Sequence, residues 1–287
     1  MNCSNSIDFS RYQLVLERPH RLTDITSWHG HIPFAFFIIQ AMKPRTVVEL
    51  GTHKGDSYCA FCQAVKTLKI KCSCFAVDTW KGDTQAGFYG EEVIDELRRF
   101  HDVRYGYFSE LIRDDFDKAL TRFSDGSIDL LHIDGCHRYE TVKRDFEMWL
   151  PKMSRVGVIL LHDTRVKEGE FGVWRLWEEL SSLYNAFEFD HSHGLGVLSV
   201  GKEVTDELRP LFYGDHKDNW LIRNFFGSLG ENILLRHRID QMAEIISNLQ
   251  SMAKRHQKMI ESKDARINAL KNQKKQILSD PFDKKNF

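Results

Sequence analysis

Two acids, three histidines and a glycine turn mark the places where this chain could do chemistry. The run Ile128-Asp129-Leu130-Leu131-His132-Ile133-Asp134-Gly135-Cys136-His137 leads from apolar residues to Asp134 and, three positions on, His137. The run Val156 to Asp163 is apolar in the same way and ends in His162-Asp163. If both are neighbouring strands, Asp134 and Asp163 finish about 5 Å apart at one sheet edge. Carboxylates that close repel each other unless one is protonated or a cation lies between them. A hard divalent cation such as Mg²⁺ takes carboxylate oxygens and keeps positions open for substrate oxygens. His162 is a third candidate ligand, but consecutive strand residues face opposite ways, so this requires the pleat to be lost after Leu161. His137 falls on a turn into a helix, where an imidazole can take a proton from a substrate hydroxyl. Metal coordination of that oxygen would ease the step. The plainer reading of His137 is a helix cap, and His132, mid-strand among apolar residues, reads as a core histidine.

The glycine turn lies in Thr46-Val47-Val48-Glu49-Leu50-Gly51-Thr52-His53-Lys54-Gly55-Asp56-Ser57. It reads as a buried β-branched strand passing into a helix that begins near Ser57, so a ligand can lie against bare backbone beside a helix N-terminus. A dinucleotide fingerprint needs three glycines for a pyrophosphate to approach, and here His53 and Asp56 hold two of the three places. With Glu49 at the strand end, the turn suits a positively charged cofactor without phosphate. Asp78, in Asp78-Thr79-Trp80 at the end of the next strand, is placed to accept hydrogen bonds from ribose hydroxyls, or to cap a helix. His29 and His31 flank Gly30 ahead of a helix and are further candidates to line a pocket. The loops Phe88-Tyr89-Gly90 and Phe171-Gly172-Val173-Trp174 suit a lid or an acceptor site.

These residues need strands and helices to position them. Strands are expected at 46–51, 73–78, 103–107, 128–134, 156–163, 186–190 and 195–200. Helices are expected from the Trp28–Pro33 region to Met42 and at 57–68, 91–100, 111–122, 139–149 and 171–184. Alternating β and α with Val/Ile/Leu-rich strands implies an α/β fold, a parallel, doubly wound sheet covered on both faces. The Gly194-Leu195-Gly196 turn suggests an antiparallel last strand. Residues 1–27 read as an N-terminal arm and 202–234 as an amphipathic helical linker. From 235 to 279 a heptad runs through Ile239, Ile246, Ala253, Ile260 and Ile267, with Met242, Leu249, Leu270 and Ile277 at the second core position. That pattern favours a coiled coil and a homo-oligomer, dimer or trimer, over a helix folded back on the domain; His256 and Lys263 interrupt the seam. Residues 280–287 read as a disordered tail.

Composition narrows the class. The chain has 287 residues, 42% of them hydrophobic, and a formal charge of −1, enough for a packed core and without a field that favours nucleic acid. No run reaches the roughly 18 apolar residues of a membrane span, and the polar start does not resemble a signal peptide. Six cysteines in a chain of this length are not a secreted disulfide framework. Cys59, Cys62, Cys72 and Cys74 read as small buried residues before they read as a zinc site. The expected location is the cytoplasm, or peripheral at the inner face of the membrane.

Taken together, Glu49-x-Gly51-x-x-x-Gly55-x-Ser57, Asp78, Asp134-Gly135-x-His137-x-Tyr139 and Leu161-His162-Asp163-Thr164 resemble class I S-adenosylmethionine (SAM)-dependent methyltransferases. The nearest branch is the sugar and small-molecule O-methyltransferases found with bacterial surface-polysaccharide genes, and the resemblance covers about residues 28–201. It implies a seven-stranded Rossmann-like domain over 28–201 and SAM as cofactor. Glu49, Gly51, Thr52 and Ser57 would contact the amino-acid part and Asp78 the ribose, with His53, Gly55, Thr79, Trp80 and Asp134 also at the cofactor. Asp134, His162 and Asp163 would hold Mg²⁺ or another divalent cation, and His137 would act as base on a glycan or small-molecule acceptor of the O-antigen type. His162 stands where such a pair usually has Glu. The C-terminal helix resembles extensions that oligomerise or dock on polysaccharide-assembly enzymes. Two other readings stand beside this one: a non-catalytic scaffold that recruits partners through its coiled coil, and a methyltransferase for a catechol-like hydroxyl.

Overall fold

The computed structural model describes residues 7–83 and 87–279; the expected tail at 280–287 and the first six residues of the arm lie outside them. In chain order the strands are β1 (Thr46–Leu50), β2 (Ser73–Asp78), the two-residue β3 (Gly82–Asp83) and β4 (Gly87–Phe88), β5 (Ser109–Arg113), β6 (Ile128–Ile133), β7 (Met153–His162), β8 (Asn185–Phe189) and β9 (Leu195–Ser199). The helices are α1 (Ile32–Met42), α2 (Asp56–Leu68), α3 (Glu91–Tyr105), the single turn α4 (Phe116–Ala119), α5 (Tyr139–Trp149), α6 (Val173–Ser181), α7 (Arg209–Tyr213) and α8 (His216–Ser279).

Seven strands form one sheet in the order β5-β2-β1-β6-β7-β9-β8, while β3 and β4 pair separately. Pairing is parallel from β5 through β7, and β9 runs antiparallel to both its neighbours. The expected seven-stranded α/β sheet is therefore mixed, closed at one edge by the β8–β9 hairpin. Strand residues alternate between two cores. Val47, Leu130 and Leu160 join α1, α2 and α3 on one face, whereas Val48, Leu131 and Leu161 join α5 and α6 on the other. Burial on both faces explains why the strands read as unbroken apolar runs.

Three expectations shift. The strand expected at 103–107 is the last turn of α3: Leu97, His101 and Tyr105 recur every four residues on its buried side. That repeat outweighs the β-favouring Val103 and Tyr105, and the sheet strand follows at Ser109–Arg113, paired with β2. The helix expected at 111–122 is only α4 and one 3₁₀ turn, Leu120–Arg122. The helix expected to begin at Trp28 opens with a 3₁₀ turn, His29–His31, before α1.

The chain divides into a unit up to Leu234 and a second from Leu235. In the first, the arm forms 3₁₀ turns that bury Leu14 and Val15, and Phe9 stacks on Phe225 with ring centroids 3.8 Å apart. The linker expected at 202–234 is α7 followed by the start of α8. In the second unit α8 is one unbroken helix. Its heptad residues Ile239, Met242, Ile246, Leu249, Ile260 and Ile267 are all exposed in the single chain.

Candidate functional site

A cavity of about 370 Å³ opens beyond the carboxyl ends of the parallel strands, where ligands bind in open α/β sheets. Its floor is the turn between β1 and α2. Gly51 has φ +83°, and a Cβ there would sit 2.2 Å from the carbonyl oxygen of Asp134. Glycine is required, and its bareness lets the ends of β1 and β6 close together. Gly55 (φ +82°) opens α2, where a Cβ would meet Leu97 at 2.6 Å. Asp78 holds this turn in shape: its Oδ2 accepts the backbone N–H groups of Thr52 (2.9 Å) and His53 (2.8 Å), and its Oδ1 accepts that of Trp80 (2.7 Å). Each carboxylate oxygen has two acceptor positions, so Oδ2 is filled by these bonds while Oδ1 can take a further donor, and Asp78 lines the cavity. Thr52 Oγ1 is buried without a hydrogen-bond partner in the same wall. An orphaned donor and a backbone cradle fit a polar ligand of nucleoside size.

The acids and histidines gather at one side. β6 and β7 are neighbours with Ile133 opposite Leu161, which brings Asp134 and Asp163 to the same edge. His137 Nε2 lies 3.3 Å from Asp134 Oδ1 and 3.0 Å from Asp163 Oδ2. His162 Nδ1 lies 3.2 Å from Asp134 Oδ1 and 3.4 Å from Asp163 Oδ1. The pleat is indeed lost after β7: Asp163 has φ +62°, a left-handed conformation that turns it to the side His162 already faces. One ligand atom from each of Asp134, His162 and Asp163 falls within 4.8 Å of the others, a separation that a divalent cation can span. Burial penalises the Asp134 carboxylate, but the His162 charge and hydrogen bonds from His137 and His162 outweigh it and hold the group well below the usual carboxylate range. Burial likewise opposes a charged His137, yet its bonds to Asp134 and Asp163 win and raise it to about 10. His162 is raised for the same reason, against its own burial.

Other expected residues fall elsewhere. Thr52, His53, Gly55, Ser57 and Thr79 line the cavity. Trp80 does not; fully buried, its indole donates to the His53 carbonyl (2.9 Å) and braces the turn from behind. Glu49 is also fully buried and off the wall. It faces His132 across the β1–β6 register, with its Oε2 2.8 Å from His132 Nδ1. Since the Trp28 indole can only donate, to His132 Nε2 at 3.1 Å, the proton toward Glu49 is on Nδ1. His132 is therefore a core histidine that links Glu49 to Trp28. His29 and His31, expected at the pocket, are fully buried behind it: His29 Nε2 is 3.0 Å from Asp56 Oδ1, and His31 Nε2 is 3.0 Å from the Ser192 carbonyl. Of the loop aromatics, Tyr89 lines the cavity and stacks on His53, while Phe171 stacks on His137 at 4.8 Å and 11°.

Sequence reasoning missed the arm. Ile25, Ser27 and Trp28 line the cavity, and the arm is fastened there by Asp56, whose carboxylate accepts from Thr23 N (2.7 Å) and Thr23 Oγ1 (2.6 Å). No periodicity in residues 7–27 signals this. It also missed His193, whose Nδ1 reaches Asp163 Oδ1 at 3.2 Å from the β8–β9 turn, and Phe116, which packs against Gly135.

Residues 48–164 match a family model described as a methyltransferase domain. Uncharacterized protein y4gI of Sinorhizobium fredii (strain NBRC 101917 / NGR234) is 44% identical over 228 residues, covering 78% of this chain and 25% of that protein. The chain thus spans about a quarter of the length of the curated relative it matches. Among solved structures, the SAH-bound Podospora anserina methyltransferase PaMTH1 overlaps 66% of this chain and 92% of its own, at 15% identity and TM-score 0.44. A methyltransferase from Geobacter sulfurreducens overlaps 59% and 77%, at 16% identity and TM-score 0.45.

Proposed function

We propose that this chain, which carries a methyltransferase domain over residues 48–164, transfers the methyl group of SAM to a sugar hydroxyl, of the kind found in a bacterial surface polysaccharide. The observation that carries the reading is the meeting, in one cavity, of the Gly51–Ser57 turn with His137 bridged between Asp134 and Asp163. The bare backbone at Gly51 admits the cofactor closely, the remaining position on Asp78 Oδ1 accepts a ribose hydroxyl, and Thr52 Oγ1 gains its missing partner. His137 would receive the acceptor proton at Nε2 once the proton it shares with Asp134 and Asp163 is released, while the stacked Phe171 ring fixes the orientation of the imidazole. As it stands, His137 holds its own proton tightly, because two carboxylates flank it. A divalent cation on Asp134, His162 and Asp163 would supply Lewis acidity and offset the charge that keeps His137 protonated. Glu49 acts at one remove, since it fixes His132 and through it Trp28 in the cavity wall. The sugar preference rests on the resemblance of the strand-end motifs, and the aromatic stack at His137 equally admits a flat phenolic acceptor. The test is incubation with methyl-labelled SAM and parallel panels of polysaccharide repeat units and catechols, with and without EDTA. Label in the glycan arm, abolished by EDTA, is the expected result. Label only in the catechol arm replaces the acceptor class, and label in neither removes the reading.

A further inference from the structure

We propose that the cation taken by this cluster is a first-row transition ion in the series Mn²⁺ to Zn²⁺ in preference to Mg²⁺, and that the placement of His162 against Asp134 and Asp163 decides it. The inference rests on the cluster being the cation site of the preceding reading and on nothing about methyl transfer. Mg²⁺ demands an oxygen shell in near-ideal octahedral geometry, whereas imidazole nitrogen favours the transition series. One of the three convergent donors here is a nitrogen.

The orientation of that nitrogen is fixed from outside. His162 is 2% exposed, and its Nε2 lies 3.1 Å from the Ser192 carbonyl. A carbonyl can only accept, so Nε2 carries hydrogen, and Nδ1, which lies against Asp134 Oδ1 and Asp163 Oδ1, is the ring atom left to meet a cation. In the absence of a cation a proton on Nδ1 satisfies those carboxylates; a cation among the three atoms would take its place, with the ring already oriented by the carbonyl behind it. The carbonyl is itself held by strained backbone. Ser192, His193 and Gly194 have φ of +46°, +69° and +89° in succession, and the buried His31 Nε2 also lies 3.0 Å from Ser192 O. Left-handed residues other than glycine are disfavoured and persist where the surroundings over-determine them. Asp163, also left-handed at φ +62°, completes an arrangement in which backbone strain on both sides aims donors at one point.

The experiment is equilibrium dialysis of the full, chelator-treated chain against Mn²⁺, Co²⁺, Zn²⁺ or Mg²⁺ alone, with pulsed electron paramagnetic resonance of the Mn²⁺ form. Mn²⁺ should bind at least about a hundredfold more tightly than Mg²⁺ and show coupling to a directly bound ¹⁴N. His162→Gln should remove that coupling, and His162→Asp should bring the Mn²⁺/Mg²⁺ ratio below about tenfold. Mg²⁺ bound as tightly as Mn²⁺, bound Mn²⁺ without nitrogen coupling, coupling that survives His162→Gln, or retention of no ion would each overturn the proposal. The nitrogen coupling is measured on the unaltered chain, so it stands even if a variant fails to fold. SAM titration calorimetry on the same protein keeps the two ideas apart. SAM binding without a metal preference sinks this inference alone, and a metal preference without SAM binding sinks the methyl-transfer reading alone.

Discussion

His137 Nε2 is within 3.3 Å of two carboxylates, and Phe171 covers its ring. On the proposed reading, a side chain so placed would touch the acceptor and leave the glycine turn alone. His137→Ala should therefore keep SAM affinity, measured by calorimetry, while transfer falls at least about a hundredfold; unchanged turnover would remove the imidazole from the reaction. A second residue makes a prediction about stability. Asp145 is buried on α5 with its Oδ2 unpartnered, and burial, with the nearby Asp117, pushes its carboxyl up to about 7 from an ordinary value of 3.8. Between about 4 and 7 the folded chain thus keeps a proton that the unfolded chain has released, so stability falls as pH rises through that window and levels off above it. Asp145→Asn should raise stability at pH 8 by about 1–3 kcal/mol. The gain should vanish near pH 4, as thermal melts at the two pH values would read. An equal effect at both would separate Asp145 from the pH dependence.

At the scale of elements, the β1–α2 turn does most to shape the cavity. Gly51→Ala would place a Cβ 2.2 Å from a backbone oxygen at φ +83°, and backbone yields less readily than a side chain. The variant should lose about 1–3 kcal/mol of stability and, because the floor of the cavity shifts, bind SAM at least about tenfold more weakly; a variant with wild-type melting and affinity would show the close approach to be relaxed. This turn was legible in the sequence because glycine spacing reports backbone requirements directly. So were the ends of β2, β6 and β7, where an acid closes an apolar run. What could not be read was anything set by contacts distant in sequence. Glu49 and Asp78 look alike as strand-end acids, yet one turns inward to His132 and the other clamps the turn. The alternation rule argued against His162 and Asp163 sharing a side, and only the left-handed φ at Asp163 overrides it. α3 runs beyond the expected 91–100 because packing through Tyr105 carries the helix on, although Val103 and Tyr105 favour strands locally.

At the scale of the whole molecule, the alternation of strands and helices gave away the sheet, and the Gly194–Gly196 turn its antiparallel edge. The helix from Leu235 bears an apolar stripe, with Ile245, Met252 and Met259 exposed beside the heptad residues, and such a stripe is a candidate surface for self-association. Ile246→Asp with Ile260→Asp should convert an oligomer into a monomer by sedimentation velocity, and leave melting of the unit up to Leu234 within about 0.5 kcal/mol. A wild-type chain that sediments as a monomer would end the self-association reading. The arm carries a different consequence. Ile25, Ser27 and Trp28 wall the cavity from one side while Asp56 and the Lys54 carbonyl grip Thr23 and Arg21, so a bound molecule is enclosed by segments far apart along the chain. If that wall retains a ligand, loss of the Thr23 or Arg21 anchor should speed dissociation more than it weakens any single contact.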